Sequence, residues 1–137
     1  MAYQGYLLKV GNTVFPTSYI EGKSYKATPE QTMEWEANRD ATGFLWRDTV
    51  DHKPSKIEFE TVPQLTNADM LVIHNLLEAA WTDKKQRKLS VTFYNTESDS
   101  YATEEMYMPD VEYPIYSVDN ESMVVTYEKL RYAFIGY

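Results

Sequence analysis

The sequence predicts a mainly β domain with one flanking α-helix, built as a β-sandwich or an open barrel of about eight or nine strands. Three observations carry this. Apolar and polar residues alternate with period two in several segments, as in a strand with one dry and one wet face. One segment only, Asn67–Trp81, repeats its apolar residues at helical spacing. Turn residues separate the alternating runs at short intervals. With 137 residues, 43% of them hydrophobic and 15% aromatic, the chain is long enough for one core, so a single domain over 1–137 is expected. A single helix makes a ferredoxin-like α+β fold the weaker alternative.

Taken in order, Tyr6, Leu8 and Val10 alternate with Leu7 and Lys9, and Gly11-Asn12 turns the chain into Thr13-Val14-Phe15, a hairpin closed by Pro16. Ser18–Pro29 is polar and contains Gly22 and Pro29, which predicts a loop or an irregular edge. Thr32–Ala37 sets Met33, Trp35 and Ala37 against Glu34 and Glu36. Lys56–Thr61 repeats the pattern, with Ile57 and Phe59 inward and Glu58 and Glu60 outward. The helix over 67–81 starts at a Thr66 or Asn67 cap with Asp69 in its first turn. Met70, Ile73, Leu76, Leu77, Ala80 and Trp81 form its apolar arc. Leu71 and Val72 lie outside that arc, as stray surface residues or as a contact with a neighbouring subunit. Leu89, Val91 and Phe93 then alternate with Ser90, Thr92 and Tyr94, and a polar turn leads into Tyr101–Met108. Pro109 and Pro114 bracket an extended connection. Ile115–Val118 and Met123–Glu128 flank Asp119-Asn120-Glu121 as a hairpin, and Leu130, Tyr132 and Phe134 make a closing strand.

The formal net charge is -8 and it is unevenly spread. Leu89 to Glu128 contains no Lys or Arg but many carboxylates, whereas Lys84, Lys85, Arg87 and Lys88 crowd just ahead of it. An acidic surface repels phosphate backbones, so tight nucleic-acid binding is not expected. No apolar run approaches the roughly 18–20 residues of a membrane span, and Met-Ala-Tyr-Gln-Gly does not read as a secretory leader. Membrane insertion is therefore not expected. With no Cys, disulfides and thiolate metal sites are excluded.

A search for catalytic chemistry finds no constellation. The two histidines are His52, in a polar turn before Pro54, and His74, at the edge of the helical arc. Neither sits in a pattern that supplies a base to a nucleophile or completes a zinc site. The paired acids Glu34/Glu36 and Glu58/Glu60 read as solvated strand faces rather than a glycosidase pair. The glycines are too scattered to cradle a phosphate. No catalytic, cofactor or metal residue is assigned. The twelve tyrosines and three tryptophans would suit a carbohydrate-binding face, but Trp35, Phe59, Phe93 and Tyr127 occupy inward positions of the alternation.

Arg39-Asp40-Ala41-Thr42-Gly43-Phe44-Leu45-Trp46-Arg47-Asp48 resembles a segment in a family of small tail proteins of phages and prophages from Gram-positive hosts. There an Arg, a few small or polar residues with a Gly, two or three apolar residues and an Arg-Asp follow one another. The likeness continues through Lys56-Ile57-Glu58-Phe59, an acid-capped helix, Val91-Thr92-Phe93-Tyr94 and Met106-Tyr107-Met108. It runs roughly from Tyr3 to Tyr116. The chain departs from the pattern in Ala41-Thr42 ahead of Gly43, in the bulky Trp46 and in the basic run Lys84–Lys88.

The resemblance implies a structural part of a long tail, in the tail tube or at the distal, baseplate end, with a tail-tube-like β fold and ring assembly. Its partners would be further copies of itself and other tail proteins, and its place the virion tail, after synthesis in the host cytoplasm. A tail terminator or another virion adaptor is the neighbouring alternative. A ring needs heterologous contacts. The candidate contact is Asn38–Asp48, with Asp40 and Asp48 among its residues: Arg39 and Arg47 would pair with acidic residues of a neighbour while Phe44, Leu45 and Trp46 enter an apolar groove. The alternative reading makes Phe44–Trp46 an ordinary core strand. Leu71 and Val72 are a second candidate contact. Glu34, Glu36, Glu58 and Glu60 are candidates for a negative channel wall to which passing DNA would not adhere.

Overall fold

The computed structural model describes residues 2–137, with the side chain of Trp35 outside the described set. In chain order, β1 (Leu8–Val10) and β2 (Thr13–Val14) form the expected first hairpin. Next come β3 (Lys26–Thr28), β4 (Glu34–Arg39), β5 (Leu45–Thr49), β6 (Lys56–Glu60) and β7 (Leu65–Thr66). The helix α1 (Asn67–Ala80) runs straight into β8 (Trp81–Asp83). The remaining strands are β9 (Lys88–Asn95), β10 (Ser100–Tyr107), β11 (Ile115–Asp119), β12 (Val124–Tyr127) and β13 (Arg131–Gly136). The thirteen strands among the described residues exceed the eight or nine expected. β3 lies in the polar stretch read as an irregular edge, and β7 and β8 are too short for alternation to reveal.

All pairings are antiparallel. The main sheet runs β2-β1-β9-β10-β13-β6-β3, with β8 beside the start of β9. β9 and β10 pair along their whole length, but β10 meets β13 only at Met106–Gly136 and Tyr107–Ile135. That short overlap lets the two halves of the sheet curl toward each other. Phe15, which follows β2, packs edge-on against Phe59 of β6 at 5.4 Å and lies 6.2 Å from Tyr132 of β13. Tyr25, just before β3, donates its hydroxyl to the Tyr94 carbonyl of β9 at 2.8 Å. The sheet is thus a strongly curled open sheet rather than a closed barrel.

Period-two alternation now has its physical outcome. Leu8, Val10, Ile57, Phe59, Leu89, Val91, Phe93, Tyr132 and Phe134 are all buried in one core. Removing each of the larger ones from water contributes about 1.5–3 kcal/mol. Burial also pushes the Tyr132 hydroxyl far above its ordinary range. The helix closes the core with Met70, Ile73, Leu76 and Leu77. Its start is a reciprocal capping box: the Asp69 amide donates to Thr66 Oγ1 at 3.3 Å and the Thr66 amide to the Asp69 carboxylate at 3.1 Å. The Tyr19 hydroxyl also donates to Asp69, tying the cap to the loop after β2.

One expectation fails. Met33 and Ala37, placed by alternation on a dry face, are exposed, because among the described residues β4 pairs only with β5 and no other element covers that two-stranded sheet. Trp35, read as part of the same face, has its side chain outside the described residues.

Candidate assembly surfaces

The β4–β5 hairpin is an arm standing away from the body. Every described side chain from Glu34 to Thr49 is exposed. At about 3.3 Å per residue its longer strand reaches roughly 20 Å. Its stem is held by backbone bonds from Val50 N to Met33 O at 2.8 Å and from Gln31 N to Pro54 O at 3.0 Å. Beneath the stem, Gly136 leaves no room for a side chain, since a Cβ there would lie 2.9 Å from Pro54 Cβ.

The tip is organised by Asp40. Its Oδ1 accepts from Thr42 N at 2.9 Å, Thr42 Oγ1 at 2.6 Å and Phe44 N at 3.1 Å, and its Oδ2 accepts from Trp46 Nε1 at 3.2 Å. These donors, the Thr42 hydroxyl and the Trp46 indole foremost, hold its pKa down to about 2. Gly43 supplies the left-handed backbone (φ +86°) that closes the turn. Arg39 Nη1 donates to the Gly43 carbonyl at 2.8 Å, and Arg47 pairs with Glu34 across the arm. Both arginines, expected to reach a neighbour, therefore already brace the arm from within. Phe44 and Trp46 meet edge to face at 5.1 Å and remain 59% and 63% exposed, with Leu45 exposed beside them. Within one chain the core-strand reading of Phe44–Trp46 does not hold.

Leu71 and Val72 are exposed on α1, on the side away from the core. The sequence reading missed a further apolar surface. In the β11–β12 hairpin, Ile115, Tyr116 and Val118 are exposed, as is Tyr113 just ahead of it, and Met123 at its turn is 74% exposed. Part of the signal present in Phe44-Leu45-Trp46 was available here in Ile115-Tyr116, adjacent apolar residues that no single face can bury. The hairpin is tied to the start of α1, where Asn67 Nδ2 donates to Met123 O and Val125 N donates to Asn67 Oδ1, each at 3.3 Å.

Along α1 runs a groove of about 620 Å³, lined by Met70, Ile73, Leu77, Trp81 and Met108 and by Tyr113 and Tyr127, which flank the base of the β11–β12 hairpin. Its rim carries His74, Glu78, Lys84, Lys85 and Arg87. Lys84 reaches Glu78 at 3.1 Å and Arg87 reaches Asp110 at 2.8 Å.

The four acids read as one negative wall occupy two sheets. Glu34 and Glu36 lie on the arm, Glu58 and Glu60 on β6 of the main sheet. Arg47 neutralises Glu34, and Glu36 accepts from Asn38 Nδ2 at 2.7 Å. Arg131 and Lys56 flank Glu58, the Arg131 hydrogen bond being the main cause of its lowered pKa. Among the described residues no group of three or more His, Cys, Asp or Glu could hold a metal ion, and no helix is long and apolar enough to cross a membrane.

Over residues 1–137 the sequence matches the family of unknown function DUF6711. The chain belongs to DUF6711. No curated protein matches it. Among solved structures, this DUF6711 chain is similar in fold to a chain in the tail of an empty gene transfer agent (GTA) particle of C6 symmetry, at 9% identity and a TM-score of 0.51. It is similar also to a chain in the virion of a native GTA particle, at 10% identity and a TM-score of 0.52. Each match covers 99% of the DUF6711 chain and 95% of the other. The fold is therefore shared over nearly the full length of both chains.

Proposed function

We propose that this DUF6711 protein is a structural component of a phage-type tail, a subunit of a homo-oligomeric ring in the tail tube or at its distal, baseplate end. Its work is done by contacts with its own copies and with other tail proteins, not by catalysis, and its place is the virion. The observation that carries this reading is the end-to-end fold likeness to a chain of a sixfold tail. Assignment to phages of Gram-positive hosts rests on the sequence resemblance around Arg39–Asp48.

The arm is the first contact element. An isolated chain that holds Phe44, Leu45 and Trp46 in solvent, on a tip pinned by Asp40, has ordered an aromatic anchor before any partner arrives. Such preorganisation lowers the entropy cost of binding. Leu71 and Val72 add a second apolar contact on α1. Arg39, Arg47 and Asp48 then shape the arm and its charge at the rim of the contact. Of the candidate channel acids, Glu36 and Glu60 have no ion pair among the described residues and would keep a channel wall negative toward DNA.

Electron microscopy of the concentrated full-length chain tests the reading. Rings or stacked rings with a central channel are expected. A strictly monomeric protein at every concentration would overturn it.

A further inference from the structure

The two ends of α1 differ in charge: among the described residues, carboxylates stand without cations at the N-terminal end, whereas at the other end Lys84, Lys85 and Arg87 stand among Glu78, Asp83 and Asp110. At about 1.5 Å per residue the fourteen-residue helix is roughly 21 Å long. At its N-terminal end stands the turn of the β11–β12 hairpin, carrying Asp119 and Glu121 and tethered there through Asn67. Asp119 is spent on the turn itself, accepting from Glu121 N at 2.9 Å and Ser122 N at 3.4 Å. Glu121 has no ion pair among the described residues and points its charge outward from an exposed position. At the other end of the helix lies the turn with Lys84, Lys85 and Arg87, which rims the apolar groove. Lys85 is the cation of that rim with no ion pair among the described residues.

The hairpin is anchored at its base, where β12 pairs with β7 and Tyr127 packs against the core, but its outer residues have no cover among the described residues. Tyr116, Val118 and Met123 project from it, and Met123 sits in the left-handed backbone region (φ +58°) that a non-glycine residue seldom adopts. The groove is a socket without an insert, with an apolar floor and a basic rim. Because Asn67 fixes the hairpin turn at one end of the helix and the basic rim lies at the other, one chain cannot bring them together. Two copies can.

We propose that the groove beside α1 receives the β11–β12 hairpin of a second copy of this chain. The apolar residues of the hairpin then cover the groove floor, and Glu121 meets Lys85. The occupant is chosen by charge complementarity: an acidic, apolar hairpin suits a basic-rimmed, apolar groove. A reciprocal twofold exchange of hairpins would satisfy the same charges but close as a dimer, so it is the ring reading above that requires the contact to run head to tail. Repeated head to tail, such a contact generates a ring when its rotation closes. The inference rests on the ring reading above and adds a surface distinct from the β4–β5 arm.

The native chain has no cysteine, so directed cross-linking tests the contact cleanly. Chains carrying Glu121→Cys and chains carrying Lys85→Cys are mixed and oxidised. A disulfide-linked heterodimer is expected from the mixture, monomers from either variant alone, and a ladder of oligomers from the double variant. Assembly without this cross-link, or Glu121→Cys chains linked to each other, overturns the contact and leaves the ring reading standing. Failure of the unmodified chain to assemble overturns both. As a second measurement, Lys85→Glu is expected to weaken assembly roughly tenfold, and adding Glu121→Lys in the same chain to restore most of it. Additive losses without restoration count against the pairing.

Discussion

The curled sheet and the β4–β5 arm are made from much the same residues, set in different order. In β9, Leu89, Val91 and Phe93 fall on one face and are buried, while Ser90, Thr92 and Tyr94 take the other. In the arm, Phe44, Leu45 and Trp46 are consecutive, so they point to both faces and none is covered. β9 has neighbours on both edges, whereas β4 and β5 have only each other. The body is therefore stabilised by burial within the chain. The arm is held by its turn and ladder, and its apolar surface is left for a partner.

Breaking the body should have the largest effect. Phe93→Ala, at a fully buried position, is expected to cost about 3–5 kcal/mol, read as a lower midpoint in denaturant unfolding. Trp46→Ala should divide the two regions sharply. Body stability is expected to stay within about 0.5 kcal/mol, while assembly weakens by about 2 kcal/mol or more, measured by sedimentation. Equal losses in both readouts would mean that the arm is part of the fold. A smaller effect is expected at the helix start, where Thr66→Ala removes one side of the capping box and should cost about 1 kcal/mol in thermal unfolding.

Acid should give the mildest and most local change. The Asp40 carboxyl, lowered in the folded arm from 3.8 to about 2, binds a proton less readily there than in an open loop. The order it confers is therefore complete above about pH 4 and is lost as pH falls toward 2. Amide exchange at Thr42 and Phe44 should rise in that window ahead of exchange in β9. Simultaneous loosening of β9 would show that the tip is not independent of the body.

Where one face is buried, period two and period 3.6 leave a mark. That is why β1, β6, β9, β13 and the cap and inner face of α1 are legible in the sequence. The arm misled because Thr32–Ala37 also alternates: its carboxylates suggested a wet face, but nothing along the chain says whether the opposite face has a covering layer. β7 and β8 were hidden by their length. The β11–β12 surface was visible only as a hairpin, since exposure of Ile115, Tyr116 and Val118 follows from the lack of a neighbouring layer, a long-range fact. Tip chemistry was half legible. Gly43 marked the turn, but the four hydrogen bonds into Asp40 depend on the register of β4 with β5.

Hydrogen exchange of the full-length chain, compared between monomer and assembled particle, tests the central claim most directly. Amides of the arm from Asn38 to Asp48 are expected to be less protected than those of β9 and β13 in the monomer and to gain strong protection on assembly, while β9 and β13 stay protected in both. An assembled particle in which the arm exchanges as fast as in the monomer would contradict the account.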